Sequence, residues 1–177
     1  MGNLFSGFLG TGTDGSRTDQ FRADAGEGGG KVRAAVIPLN VATGSITNDD
    51  TIRIASFKTN ARFLSVTAYI DALGSGGSID VGFFKSDIEN DGAVVEVDTL
   101  ADAYDVSSAV SADIFTAAVG GGGEAVTLDG ADRGKELWEL VGQTEDPGEQ
   151  WDLVITVNNK GSNNLTGTFL IEYTDAD

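Results

Sequence analysis

The run of residues 62–71 constrains the fold of this chain more than any other feature of its sequence. Apolar and polar side chains alternate over these ten positions, and alternation with a period of two is typical of a β-strand that is buried on one face. The apolar positions do not keep a single parity between Phe63 and Val66, which predicts a bulge or twist near Leu64.

A second strand follows almost at once. In residues 78–84 the side chains of Ile79, Val81 and Phe83 share one face. The glycine-rich segment 72–77 lies between the two strands, and glycine tolerates the positive φ of a tight return. The sequence therefore predicts an antiparallel hairpin, which is a scaffold with no chemistry attached and favours a binding or structural role.

Another hairpin is predicted near the end of the chain, where residues 151–157 and 166–173 form two strands joined by a polar turn at 158–164. Ordered structure is predicted to begin with a strand at residues 31–39. Because proline cannot donate to a sheet ladder, Pro38 indicates that this strand lies at a sheet edge or ends there.

Helix is scarce in this sequence. Residues 98–104 are predicted to form one or two helical turns with Asp98 as the N-cap, and residues 135–141 fit a helix or a strand equally well. Many short strands, two hairpins and so little helix predict an all-β fold. We expect a β-sandwich or jelly roll with one short helix over residues 32–177.

Residues 1–31 are predicted to form an extended arm, because they are rich in glycine, include three glycines in a row at 28–30 and show no sustained period. We interpret the arm as a segment that lies on a neighbouring subunit, and a tag that stays partly disordered is the alternative. The candidate docking residues of the arm are apolar or basic: Leu4, Phe5, Phe8, Leu9, Arg17, Arg22, Lys31 and Arg33.

The absence of histidine and cysteine excludes several classes of function. Without them the chain has no Ser-His-Asp or Cys-His nucleophile, no thiolate or imidazole metal ligand and no disulfide. Among 28 acidic residues, a pair such as Glu136 and Glu139 arises by chance and is weak ground for a glycosidase. We therefore predict that the protein is not an enzyme and uses no cofactor.

Negative charge is concentrated in one part of the chain. Residues 1–62 carry seven basic and six acidic side chains, a balance of +1, whereas residues 63–177 carry four basic and twenty-two acidic ones, a balance of −18. An acidic body repels phosphates and anionic lipids, so neither nucleic acid nor a membrane is a predicted partner. Adaptation of the surface to saline surroundings would explain the same charge.

The acidic segment 87–98 resembles a calcium-binding loop. Its carboxylates fall at loop positions 1, 3, 5 and 12, and Gly92 occupies position 6, where such loops turn sharply. An acidic, solvated turn is the alternative, since the preceding segment is strand-like and position 12 carries the shorter aspartate. The candidate ligands are Asp87, Glu89, Asp91 and Asp98.

The two tryptophans have two interpretations. Trp138 and Trp151 could stack on a sugar, as in a carbohydrate-binding module, or pack in a core or interface. We favour packing for both.

Eight short segments stand in a recognisable order: 29–33, 50–54, 59–66, 71–74, 79–83, 134–142, 146–148 and 151–153. Together they resemble small proteins of tailed bacteriophages that are encoded beside the major capsid protein. These proteins are head decoration or cement proteins with a β-sandwich or jelly-roll body. The similarity covers residues 28–173 and includes no catalytic motif, and residues 1–27 match nothing in the family.

The resemblance implies a virion structural protein that binds the assembled phage head at subunit junctions and stiffens it. The implied partner is the major capsid protein, with further contacts between copies of the chain, as a trimer or as neighbours on the shell. The implied location is the outer surface of the capsid, after assembly in the host cytoplasm. A carbohydrate-binding or adhesive β-sandwich on a virion or a cell surface is the alternative.

Overall fold

A computed structural model describes residues 31–86, 92–115 and 132–174. The predicted arm, apart from its last residue, therefore lies outside the described residues. So do three of the four candidate calcium ligands, Asp87, Glu89 and Asp91. The described residues all belong to one unit, Lys31–Ala176.

The described part of the chain is built from eight β-strands. They are β1 (Val32–Val41), β2 (Thr51–Lys58), β3 (Arg62–Ile70), β4 (Ser78–Lys85), β5 (Val94–Asp105), β6 (Val110–Asp113), β7 (Gln150–Asn159) and β8 (Leu165–Thr174). Sheet 1 has the strand order β1-β8-β3-β6 and sheet 2 has the order β2-β7-β4-β5. All neighbouring strands are antiparallel. The predicted all-β sandwich is confirmed.

Neither predicted hairpin exists as a pair of neighbouring strands. β3 and β4 lie in different sheets, and so do β7 and β8, so the connections at residues 71–77 and 160–164 cross from one sheet to the other. The physical reason is that alternation fixes which side chains face the core but not which sheet carries the strand. Two strands that face one core from opposite sheets have the same sequence pattern as a hairpin.

The two crossings are held together by backbone hydrogen bonds. The carbonyl of Leu73 accepts hydrogen bonds from the N–H groups of Ser162 and Asn163, both at 2.8 Å. The positive φ predicted for the first crossing is confirmed, with φ of 93° at Gly74 and 74° at Gly76. Glycine at these positions therefore serves a passage between sheets rather than a hairpin turn.

Two other predictions about strands are confirmed. The register of β3 against β8 shifts between Phe63 and Ser65, which is the bulge expected near Leu64. β1, which contains Pro38, is an edge strand of sheet 1, and an edge tolerates a residue that has no amide proton.

The helix predicted at residues 98–104 is wrong, because this segment is part of β5. The register of β5 against β4 shifts at three places, and Leu100, Ala101 and Tyr104 are all buried. Their spacing of one and then three residues is what the buried face of a helix would give. A bulged strand can therefore show the apolar pattern of a helix.

The one α-helix among the described residues, α1 (Leu137–Leu140), lies where the sequence fitted helix and strand equally. The side chain of Glu136 accepts a hydrogen bond from the backbone of Glu139, and the Glu139 carboxylate accepts one from the Glu136 N–H at 2.9 Å. Within the described residues, no helix is long and apolar enough to span a membrane.

The core lies between the two sheets and is rich in aromatic rings. Phe63 of sheet 1 stands 4.9 Å from Phe57 and 5.9 Å from Phe83, centroid to centroid, and both of these belong to sheet 2. Phe83 in turn lies 6.4 Å from Trp151. Contacts of this kind stabilise a sandwich because they join the two sheets across the buried layer.

Candidate interaction face

Two rows of three residues cross the outer side of sheet 1, and each row takes one residue from β1, one from β8 and one from β3. Residues paired directly across antiparallel strands share one face of the sheet. All six side chains are apolar or end in a neutral hydroxyl. We call this set the uncharged face: Val36, Leu170 and Thr67 in one row, and Pro38, Thr168 and Tyr69 in the other.

The uncharged face is open to solvent in the described structure. Val36 is 67% exposed and Tyr69 is 45% exposed, and Val32, on the same side of β1, is 64% exposed. These are three of the four large hydrophobic residues that are exposed within the described residues, the other being Val94 in sheet 2. Exposed apolar side chains gathered on one face make this side of sheet 1 the candidate interaction surface.

Charged groups at the border of this face are already engaged. The Glu172 carboxylate accepts a hydrogen bond from Ser65 at 2.8 Å. The row that contains Thr67 ends at Asp113 in β6, whose carboxylate forms an ion pair with Arg133 at 2.6 Å. The charge of Asp113 is therefore balanced by Arg133, whereas Glu172 keeps its charge at the border and is bonded to a neutral hydroxyl.

The outer side of sheet 2 is different, because its buried carboxylates are bonded to neighbouring side chains of the same sheet. Asp152 is buried, forms an ion pair with Arg53 at 2.5 Å and accepts a hydrogen bond from Ser56. Asp80 is also buried and accepts a hydrogen bond from Asn158 at 2.5 Å. This polar network stabilises sheet 2 and leaves sheet 1 as the side with an apolar, exposed surface.

A groove with a volume of about 480 Å³ overlaps one end of the uncharged face, since Tyr69 and Thr168 line it. Tyr69, Asp71, Val110 and Thr166 are among the residues that line it, and the Thr166 hydroxyl donates to the Asp71 carboxylate at 2.7 Å. An aromatic ring beside hydroxyl and carboxylate groups is the kind of lining that fits a small polar ligand.

The structure describes only two of the predicted arm residues, Lys31 and Arg33, and both are exposed. Arg33 lies in β1 with the opposite parity to Val32 and Val36, so it does not belong to the row that faces outward. The remaining arm residues lie outside the described ranges. Docking by the arm therefore stays a prediction.

Asp98 lies within β5 and caps no helix. Burial raises the pKa of Asp98, and the hydrogen bond and negative charge of Glu96 raise it further. Between residues 31 and 174, leaving aside the undescribed stretches 87–91 and 116–131, no three carboxylates are grouped so as to hold a metal ion. The predicted calcium site is not tested, since its other ligands lie outside the described residues.

We expect the substitution Asp98→Asn to stabilise the fold near neutral pH by up to about 1 kcal/mol. A raised pKa in the folded state means that protonation of Asp98 favours folding, and this contribution is lost as pH rises through the folded pKa. The asparagine side chain is uncharged at every pH, so the variant does not bury a carboxylate charge at this position. Urea unfolding should therefore show a gain that disappears at pH below 3.8, the ordinary aspartate value.

Asp105 is the matched control on the same strand. Hydrogen bonds from Ser107 lower the pKa of Asp105, so its charged form favours folding above its unfolded pKa. Asp105→Asn should lower the free energy of unfolding near neutral pH. A loss of stability in both variants would contradict the assignment of a raised pKa to Asp98.

The structure bears on the two interpretations of the tryptophans and on the carboxylate pair Glu136 and Glu139. Trp151 is 1% exposed, which confirms the core interpretation for this residue. Trp138 is partly buried and donates from Nε1 to the Glu136 carboxylate at 2.6 Å. The hydrogen bond from Arg62, with that from Trp138, lowers the pKa of Glu136. A glycosidase acid needs the opposite shift, so these contacts favour a role in packing.

The uncharged face was missed by the sequence reasoning, although β1 holds a signal for it. Outward positions Val32, Ala34, Val36 and Pro38 are apolar, and the inward positions that follow Arg33 are apolar as well. An edge strand that is apolar on both sides indicates that its outer side is covered by something else.

Comparisons with known proteins give little. No family model and no curated protein matches the chain. Among solved structures, it is similar to a chain described as "Cyanophage Pam1 capsid asymmetric unit", with 16% sequence identity and a TM-score of 0.48. The match covers 90% of this chain and 95% of that one. A similarity of this size does not bear on what the chain does.

Proposed function

We propose that this chain is a virion structural protein, a decoration or cement protein that binds the assembled phage head and stabilises it. Its main partner is the major capsid protein, and neighbouring copies on the shell also contact one another. It acts on the outer surface of the capsid as a protein scaffold and catalyses no reaction.

The strand order supports this proposal. Eight antiparallel strands with the orders β1-β8-β3-β6 and β2-β7-β4-β5 have the arrangement of a jelly roll. Jelly rolls occur in viral capsid proteins and in lectins. The order therefore favours these two classes and does not separate them.

The observation that carries the proposal is the contrast between the two outer sides of the sandwich. One side holds the buried, hydrogen-bonded carboxylates of Asp152 and Asp80, whereas the other presents the uncharged face with Val36 and Tyr69 exposed. Contacts between proteins are centred on apolar, uncharged patches with polar borders. A chain with a net charge of −17 repels its own copies, so such a patch is where close contact costs least.

Binding to empty capsid shells tests the proposal directly. We expect the protein to sediment with shells of the major capsid protein, to saturate at a fixed number of copies and to raise the temperature at which the shells disrupt. Deleting residues 2–10 should lower the occupancy, because each large apolar side chain buried by the arm contributes about 1.5–3 kcal/mol before ordering costs. The melting of the isolated body should not change.

A shell that lacks the major capsid protein, such as an unrelated icosahedral particle, is the control for non-specific sedimentation. Failure to bind the matched shells at any salt concentration would overturn the proposal. Equal binding by the full chain and the deletion variant would show that the arm does not contribute to binding. The proposed function would still stand.

The alternative is a carbohydrate-binding or adhesive β-sandwich, which the groove beside Tyr69 and Asp71 favours. A glycan array separates the two functions, since a cement protein should give no signal. Saturable binding to one glycan, abolished by Tyr69→Ala, would support the alternative.

A further inference from the structure

We propose that the uncharged face binds the first thirteen residues of a second copy of this chain, so that each copy straps its neighbour. This inference rests on the proposed function, in which copies lie side by side on a shell. It names the partner of the face whose residues Val36 and Tyr69 are exposed in the described structure.

The chemistry of the two surfaces matches. Residues 1–13 contain no charged side chain and include four large apolar residues, Leu4, Phe5, Phe8 and Leu9. The uncharged face offers the apolar side chains of Val36 and Leu170 beside neutral hydroxyls. An uncharged segment is the part of a second copy that can approach without adding to the repulsion between two bodies of net negative charge.

The connection is long enough to reach a neighbour. Eighteen residues, 14–31, join this segment to the start of β1, and in an extended chain they span up to about 60 Å. A unit of this size is about 40 Å across. The segment can therefore leave one copy at the edge of sheet 1 and reach the same sheet of an adjacent copy.

The lack of cysteine in the chain allows a direct test by disulfide trapping. One preparation carries Ser6→Cys and a second, isotopically labelled, carries Val36→Cys. The two are mixed, bound to shells or concentrated in solution, and oxidised. Mass spectrometry then identifies dimers that contain one chain of each kind, and we expect these mixed dimers to form readily.

Val94→Cys is the matched control for the labelled partner. Val94 is also a valine and is 61% exposed, but it lies in sheet 2. We expect the mixed dimer with Val36→Cys to exceed that with Val94→Cys by about tenfold or more. Adding Thr67→Glu to the Val36→Cys partner should reduce the yield by a similar factor, because a charge would be buried without a partner.

Other outcomes decide against the inference. Equal trapping at Val36 and Val94 would show that contact is random. If a single chain carrying both Ser6→Cys and Val36→Cys closes on itself and mixed dimers are absent, the segment binds its own body. Shell binding measured on the same preparations separates the two proposals. Binding to shells without formation of the mixed disulfide would leave the proposed function standing. It would contradict the binding of residues 1–13 to the uncharged face of a second copy.

Discussion

Replacing Gly82 with alanine is expected to destabilise the sandwich by about 3 kcal/mol, the upper end of the usual cost of overpacking. Gly82 is buried in β4, and a Cβ built there would lie 2.2 Å from the carbonyl oxygen of Glu96 and 2.4 Å from the carbonyl carbon of Val97. Both are backbone atoms of β5, so no side chain can rotate away. The overlap can be relieved only if the backbone of β5 moves away from β4.

Gly44 is the control for this substitution. It lies in the 3-10 turn Thr43–Ser45 and has no atom within 4 Å of a Cβ built on it, so Gly44→Ala should change the free energy of unfolding by less than about 0.5 kcal/mol. Urea unfolding followed by tryptophan fluorescence measures both variants. Equal midpoints for the two would mean that β5 does not pass over Gly82 as the structure has it.

The sequence was sufficient to predict the class of fold and most of its strands. Alternation in residues 62–71 identified a strand that is buried on one side, and the loss of parity after Phe63 identified its bulge. The pairing of strands was beyond reach, because Val81 and Phe83 face the core in the same way whether β4 continues sheet 1 or begins sheet 2. Which sheet carries each strand depends on contacts between residues far apart in sequence.

Irregular strands were the other failure, and β5 shows why. A strand that shifts register three times loses its period of two, so Leu100, Ala101 and Tyr104 produced a helical pattern. The bonds that hold this strand, such as the one from the Ala103 N–H to the Asp80 carboxylate at 2.7 Å, join residues from different strands. No local rule on spacing detects such a bond.

The candidate face was predictable only in part. The apolar run 34–39 on both sides of β1 was visible in the sequence, whereas the row of Val36, Leu170 and Thr67 exists only because β8 lies between β1 and β3. Leu170 is far from Val36 in the chain, and only the pairing of β8 with β1 brings them together. The site therefore depends on the topology that the sequence pattern left undetermined.

Replacing Trp151 with alanine is expected to cost about 3–5 kcal/mol, the usual range for removing a buried large aromatic side chain. Trp151 is 1% exposed, and its ring centroid lies 6.4 Å from that of Phe83. Its Nε1 donates a hydrogen bond to the Glu149 carboxylate at 3.3 Å. The substitution removes the largest buried side chain and leaves a cavity between the sheets. Differential scanning calorimetry should show a large fall in the unfolding temperature.

Trp138→Ala is the control that separates packing from sugar binding. Trp138 is only partly buried, and its ring donates a hydrogen bond to Glu136, the residue before α1. Its loss should therefore cost less than half as much as that of Trp151. If Trp151→Ala melted like the unmodified chain and instead lost binding on a glycan array, the residue would belong to a sugar site. Because a side chain 1% exposed cannot stack on a sugar without the sheets opening, we expect the loss to appear in stability.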